Sequence, residues 1–221
     1  TGPHNPMDIT QSMWDARPDV RFPGPNDSTD LDPDHHNEIR KNYAAMIENI
    51  DRQVGRFIDE VDARGELDNT LIVFSSDHGE MLGDHDRWGK STFYQPSVAV
   101  PLVIAGPGVQ KGFSTDVLVE LQDLAVTHLD FASVEGIPEA DGQSLKPLLA
   151  GETDTHRDIA ICALNDWQMI WDGRWKLVLQ EGVGPWLFDL ETDPGEEENV
   201  AGGNAEMVRQ LEDRLVAETT E

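Results

Sequence analysis

Thr70-Leu71-Ile72-Val73-Phe74-Ser75-Ser76-Asp77-His78-Gly79-Glu80 joins an apolar run to three groups able to bind metal or move protons, Asp77, His78 and Glu80. Leu71 to Phe74 is continuous and rich in branched side chains, which is how a strand buried on both faces reads, as in a parallel sheet covered by helices. In open α/β sheets ligands bind beyond the carboxyl ends of the strands, and Asp77 and His78 are expected at that edge. Gly79 allows a sharp backbone turn without a Cβ penalty. A carboxylate beside an imidazole suits a divalent cation. An Asp-His-Gly turn that only closes a strand would look the same in sequence.

Working outward, 221 residues suffice for one large domain or two smaller ones, and 38% hydrophobic residues suffice for a core. No apolar run approaches the roughly 18–20 residues of a membrane span. Charge is the outlier, with 43 acidic residues against 16 basic ones, a net charge of −27 and a pI near 4.3. Nucleic acid is excluded as an expected partner because phosphate binding needs a basic footprint, and an anionic membrane surface for the same reason. The charge is spread along the chain, and the lysines are only Lys41, Lys90, Lys111, Lys146 and Lys176. A dispersed acidic surface of this kind suggests a protein kept hydrated in high salt, which screens carboxylate repulsion. The single cysteine, Cys162, lies in Ile159-Ala160-Ile161-Cys162-Ala163 and is read as a buried structural thiol rather than a nucleophile.

Residues 1–37 read as loop, punctuated by Pro3, Pro6, Pro18, Pro23, Pro25 and Pro33. Glu38 to Arg64 carries a helical stripe of Ile39, Tyr43, Met46, Ile47, Ile50, Val54, Phe57, Ile58 and Val61, with Asp34 or Asn37 to cap its start and Gly65 its end. A second strand is expected over 98–105, with Pro101 in a lead-in segment, and a helix over 121–134 with His128 on its apolar face as a satisfied core histidine. After a composition shift near Gly151 come short strands at 158–163, 167–171, 174–179 and 185–190. Asp172-Gly173 is a two-residue hairpin signal. Trp167, Trp171, Trp175 and Trp186 are read as packing residues, and a final helix near Asn204 aligns Met207, Leu211 and Leu215. Asp32-Pro33-Asp34-His35-His36 has the look of a metal patch but is read as a solvated helix start. The expected fold class is α/β: part of a mixed, mostly parallel sheet flanked by helices over residues 1–152, followed by a small antiparallel sheet with a C-terminal helix over 153–221.

Five segments stand in order along the chain. They are Gly2-Pro3-His4-Asn5-Pro6; Ser75-Ser76-Asp77-His78-Gly79-Glu80; Leu82-Gly83-Asp84-His85 with Gly89-Lys90; Val100-Pro101-Leu102-Val103-Ile104; and Trp175-Lys176-Leu177 with the run from Leu187 through Asp193-Pro194-Gly195-Glu196-Glu197-Glu198-Asn199. Together they resemble the sulfatase family of the alkaline-phosphatase-like superfamily. The resemblance implies hydrolysis of a sulfate ester, with a sulfated small molecule or glycan as substrate. It also implies a divalent metal, most often Ca2+, on the sulfate oxygens, and formylglycine as nucleophile. Asp77 and His78 match the family's second pair of metal ligands. Lys90 matches the lysine that contacts the sulfate and the leaving oxygen, and His4 the histidine that protonates the leaving group. These residue types suit the chemistry. A cation and an ammonium stabilise charge developing on sulfate oxygens, and an imidazole can donate a proton near neutral pH. Asp84 and His85 are read as a solvated acidic loop in preference to partners of the site.

The family's Cys/Ser-x-Pro-x-Arg motif is absent, and Cys162, followed by Ala-Leu-Asn-Asp, cannot replace it. The family's first metal-binding Asp pair is absent too. The expectation is therefore the C-terminal half of a sulfatase, inactive by itself, whose true start and any targeting segment are missing. A phosphodiesterase or phosphonate monoester hydrolase of the same superfamily is a second reading, since phosphoryl transfer needs the same clamps. A non-catalytic metal-binding fragment is a third.

Overall fold

In the computed structural model, residues 3–16, 20–29 and 32–219 are described. Gly2 of the His4 motif and Pro18 of the proline-rich start lie outside them. The chain forms two compact units, one of residues 1–70 and 78–90, the other of residues 71–77 and 91–221.

In the first unit a short helix α1 (Gln11–Ala16) interrupts the expected loop, and the long helix α2 runs Pro33–Ala63. The start of α2 lies five residues before the expected Glu38, because Asp32 and Pro33 are its cap and first turn. The Asp32 carboxylate accepts from the N–H groups of Asp34 and His35, and proline tolerates the first helical position. Gly65, at φ +70°, follows the last turn as expected. The reading of 32–36 as a solvated start fails at His36, which is 1% exposed and stacks on Trp88 at 5.6 Å. Only His36 and Ala45 of α2 are fully buried, and Phe57 on the expected core stripe is 73% exposed.

The second unit begins with β1 (Ile72–Ser75), followed by a single turn α3 (Gln95–Val98) and β2 (Leu102–Ala105). The α/β class holds, but β1 and β2 pair antiparallel, Ile72 opposite Ala105 and Ser75 opposite Leu102. Nor is β1 buried on both faces: Phe74 is 39% exposed, and Val103 opposite it 61%. An apolar run records a demand for burial and says nothing of strand direction. The expected strand at 98–105 is shortened because Gln95–Val98 is helical and Pro101 stands just before β2.

Helix α4 (Gln122–Phe131) is followed by one turn, α5 (Lys146–Leu149). The buried residues of α4 are Asp123 and Thr127, while His128 is exposed, its Nδ1–H donating to the Leu124 carbonyl. The core-histidine reading is thus corrected. A hydropathy stripe cannot register that the inward face is polar, nor that Asp123 is satisfied by Arg157, His156 and the N–H of Gln143 from distant segments.

The C-terminal sheet follows expectation closely. It is an antiparallel meander of β3 (Ala160–Leu164), β4 (Trp167–Trp171), β5 (Trp175–Gln180) and β6 (Val183–Asp189), closed by helix α6 (Ala205–Thr219). The hairpin between β4 and β5 turns at Gly173, φ +98°, and the Asp172 carboxylate accepts from the N–H groups of Arg174 and Trp175. Strand alternation gives the sheet two apolar faces. Ile170, Leu177 and Leu187 pack on Leu211 and Leu215 of α6. Trp167, Met169, Val178 and Phe188 pack on Phe93. Each fully buried aliphatic side chain contributes about 1.5–3 kcal/mol. Cys162 is half-buried beside the second face, and burial pushes its thiol pKa up, as befits a structural cysteine. No helix among the described residues is long and apolar enough to cross a membrane.

Candidate active site

The loop from His78 to Lys90 folds back on itself within the first unit. The Met81 N–H donates to the Gly89 carbonyl (2.8 Å) and the Gly83 N–H to that of Arg87 (2.9 Å). The Glu80 carboxylate, expected as a metal or catalytic group, accepts from the Gly89 N–H at 2.6 Å and the Leu82 N–H at 3.4 Å. Its negative charge also bears on Tyr43, whose hydroxyl pKa is raised by burial first and by Glu80 second. Leu82, Gly83, His85, Asp86 and Gly89 all have positive φ, so the loop is held in its shape by these bonds against backbone preference.

Asp84 and His85 near the tip of this loop are tied down and part-buried. Asp84 accepts from Arg40 Nη2 (2.9 Å) and from the Asn26 N–H (2.9 Å). The His85 ring, 5% exposed, donates from Nδ1 to Asp27 (3.1 Å). Asp86 accepts from the hydroxyls of Ser28 and Thr29. The reading of Asp84 and His85 as a solvated loop is corrected accordingly. Their partners lie 44 to 58 positions upstream, invisible to local pattern.

At the loop's end Lys90 meets His4. Both are exposed, and Lys90 Nζ stands 3.2 Å from His4 Nε2. The tautomer follows from the other ring nitrogen. His4 Nδ1 lies 2.7 Å from the Asn5 carbonyl, which can only accept, so Nδ1 carries the proton and Nε2 the lone pair. Lys90 therefore donates to His4. The same reasoning applies to His78, half-buried, whose Nδ1 faces the Gly79 carbonyl at 2.9 Å. Nδ1–H donates there, which leaves the lone pair on Nε2.

Asp77 follows β1 by two residues and is exposed, with the Ser76 hydroxyl 3.4 Å from Oδ1. Asp77 and His78 are consecutive in the chain and offer a carboxylate oxygen and an imidazole nitrogen. Among the described residues no three His, Cys, Asp or Glu side chains gather as a metal cluster. A carboxylate oxygen and an imidazole nitrogen are donor types that suit a divalent cation.

A family model described as Sulfatase matches residues 2–134, and one described as N-sulphoglucosamine sulphohydrolase, C-terminal, matches residues 83–221. The chain is 34% identical to choline-sulfatase of Rhizobium meliloti (strain 1021), with 91% of this chain and 45% of that protein covered. Among solved structures it resembles the phosphonate monoester hydrolase of Agrobacterium radiobacter, at 32% identity and a TM-score of 0.79 over 86% of this chain and 42% of that one. It also resembles a protein solved with its substrate D-glucosamine-2-N,6-O-disulfate, at 27% identity and a TM-score of 0.77 over 84% of this chain and 42% of that one. The chain thus spans less than half the length of these relatives.

Proposed function

The chain belongs to the sulfatase family, and from that premise we propose that it supplies the leaving-group side and part of the metal site of a sulfuric ester hydrolase. The observation that carries this reading is the meeting of Lys90 and His4 at 3.2 Å across 86 positions of sequence. Lys90 presents an ammonium with three N–H donors, one of them on His4 Nε2. Against a sulfate ester, the others are directed at the sulfate oxygens and the bridging oxygen, where charge grows as the S–O bond breaks. Protonation turns His4 Nε2 from acceptor to donor. The imidazolium then passes its proton to the departing alkoxide, and the Lys90 N–H released from His4 turns to the sulfate.

Asp77 and His78 are the proposed holders of a divalent cation, calcium by the family's example. When bound, the cation would withdraw charge from the sulfate oxygens. The Cys/Ser-x-Pro-x-Arg motif is absent from these 221 residues, so the formylglycine nucleophile is proposed to come from sequence outside them. Residues 1–152 are assigned to the catalytic α/β domain and 153–221 to a C-terminal subdomain. The substrate class is a sulfated small molecule or glycan, in keeping with the choline-sulfatase relative and the glucosamine disulfate complex. The net charge of −27 fits a halophilic protein. A phosphonate monoester hydrolase is the second reading, favoured by the higher identity to that enzyme than to the disulfate-bound protein, 32% against 27%.

The test is turnover by the complete gene product. 4-Nitrophenyl sulfate should be hydrolysed in preference to a phenylphosphonate monoester, and Lys90→Ala should abolish most of that rate. Preference for the phosphonate would install the second reading. Full sulfatase activity without Lys90 would overturn the assignment of the site.

A further inference from the structure

Glu80 is the third polar group of the opening motif, and neither the metal nor the proton-transfer role uses it. Its carboxylate is half-buried and turned to the backbone of its own loop. It takes the Gly89 N–H at 2.6 Å and the Leu82 N–H at 3.4 Å. Alongside, the Met81 N–H donates to the Gly89 carbonyl at 2.8 Å. Gly89 is therefore gripped on both its amide and its carbonyl by consecutive residues, and Met81 itself is fully buried. The residue after Gly89 is Lys90, and the residue two before Glu80 is His78.

We propose that Glu80 is a positioning residue for Lys90: by holding the Gly89 N–H, it fixes the point from which the lysine side chain starts and keeps it within reach of His4. This rests on the reading of Lys90 as the sulfate-contacting group. A charge-assisted bond from a carboxylate to a backbone N–H is about twice as strong as a neutral one. Gly89 sits at φ +77°, a conformation glycine holds no more readily than its alternatives, so without the bond the segment bearing Lys90 has other conformations to visit. A misplacement of about 1 Å at a reacting group costs on the order of 10²-fold in rate.

The experiment compares Glu80→Ala, Glu80→Gln, Lys90→Ala and the Glu80→Ala/Lys90→Ala double variant in the complete gene product. Glu80→Ala should lower kcat by roughly 10- to 100-fold with metal content unchanged. Glu80→Gln, which keeps an acceptor oxygen for Gly89, should restore the rate to within a few-fold. The double variant should be no slower than Lys90→Ala alone. Amide exchange of Gly89 should accelerate in Glu80→Ala and stay protected in Glu80→Gln, a readout that holds even if Lys90 proves catalytically silent. Metal content falling in Glu80→Ala as it does in Asp77→Asn, or an additive loss in the double variant, would overturn the proposal. So would unchanged protection of Gly89.

Discussion

Replacing Asp123 by asparagine should unfold the second unit more easily at neutral pH, and the penalty should shrink in acid. Asp123 is fully buried at the start of α4. It accepts from Arg157 Nε and Nη2, from His156 Nε2, and from the N–H groups of Gln143 and Glu120. Burial pushes its carboxyl pKa up, but the Arg157 guanidinium and the other donors outweigh it and hold the pKa down from 3.8 to about 2. An asparagine keeps the shape, removes the charge, and turns an NH2 toward atoms that are themselves donors. Arg157 would be left with Glu120 at 3.3 Å as its ion-pair partner. Breaking a buried pair in this way costs about 3–5 kcal/mol, or roughly 1–3 M in a urea midpoint. Because the folded pKa is depressed, the ionised carboxylate's stabilisation is fully present above about 4 and is lost as pH falls through about 2. That portion is about 2 kcal/mol. The assay is urea unfolding of wild type and variant at pH 7, 4 and 2.5, followed by tryptophan fluorescence. The other carboxylates titrate in both proteins and cancel in the difference. A loss below about 1 kcal/mol at pH 7, a reasonable floor for one net hydrogen bond, would refute the reasoning. So would a difference that does not narrow between pH 4 and pH 2.5.

Lys176→Met should cost about 3–5 kcal/mol, since it strands Glu196 in the interior. Lys176→Met/Glu196→Leu should recover only part of this in urea melts, because the Phe93 carbonyl and the Gln95 N–H lose their partners. In the complete enzyme His4→Ala should slow alkyl sulfates by roughly 10²–10⁴-fold and 4-nitrophenyl sulfate far less; equal losses across a leaving-group series would remove His4 from the acid role. Asp77→Asn should lower metal content and turnover together, and elemental analysis showing wild-type metal would exclude Asp77 as a ligand. With a net charge of −27, the urea midpoint should rise between low salt and molar potassium chloride as carboxylate repulsion is screened; a flat or falling midpoint would sink the halophilic reading.

What sequence made legible was local. The meander at the C-terminus announced itself through Asp172-Gly173 and period-2 alternation, and β4 spans 167–171 as expected. The apolar i, i+4, i+8 spacing of Met207, Leu211 and Leu215 placed α6, whose Leu211 and Leu215 are buried. Hidden were the features whose meaning depends on residues far along the chain. The direction of β1 against β2 is one. The inward face of α4, set by Asp123 and its partners up to 34 positions away, is another. So is the tie between Asp84 and Arg40. The start of α2 was placed five residues late because its cap and first turn, Asp32 and Pro33 onward, are polar and carry none of the apolar stripe that marks the helix. His4 and Lys90 were singled out only through motif resemblance, since nothing in an isolated histidine and an isolated lysine foretells that they meet.

The buried pair at Lys176 and Glu196 has a consequence for the order in which the chain is made. Lys176 Nζ holds the Phe93 carbonyl and Glu196 Oε1, each at 2.5 Å, and Glu196 Oε2 takes the Gln95 N–H at 2.6 Å. The N–H of Gln95 thus waits for a carboxylate encoded 101 residues later. At synthesis rates of about 5–20 residues per second, that is a wait of roughly 5–20 s. For most of it, until Lys176 and then β6 are made, the stretch after Lys90 lacks its ammonium and Phe93 the sheet face it packs on, and the carboxylate arrives last. A ribosome stalled anywhere before position 196 therefore leaves this segment open to proteases and chaperones, however completely the upstream residues have folded.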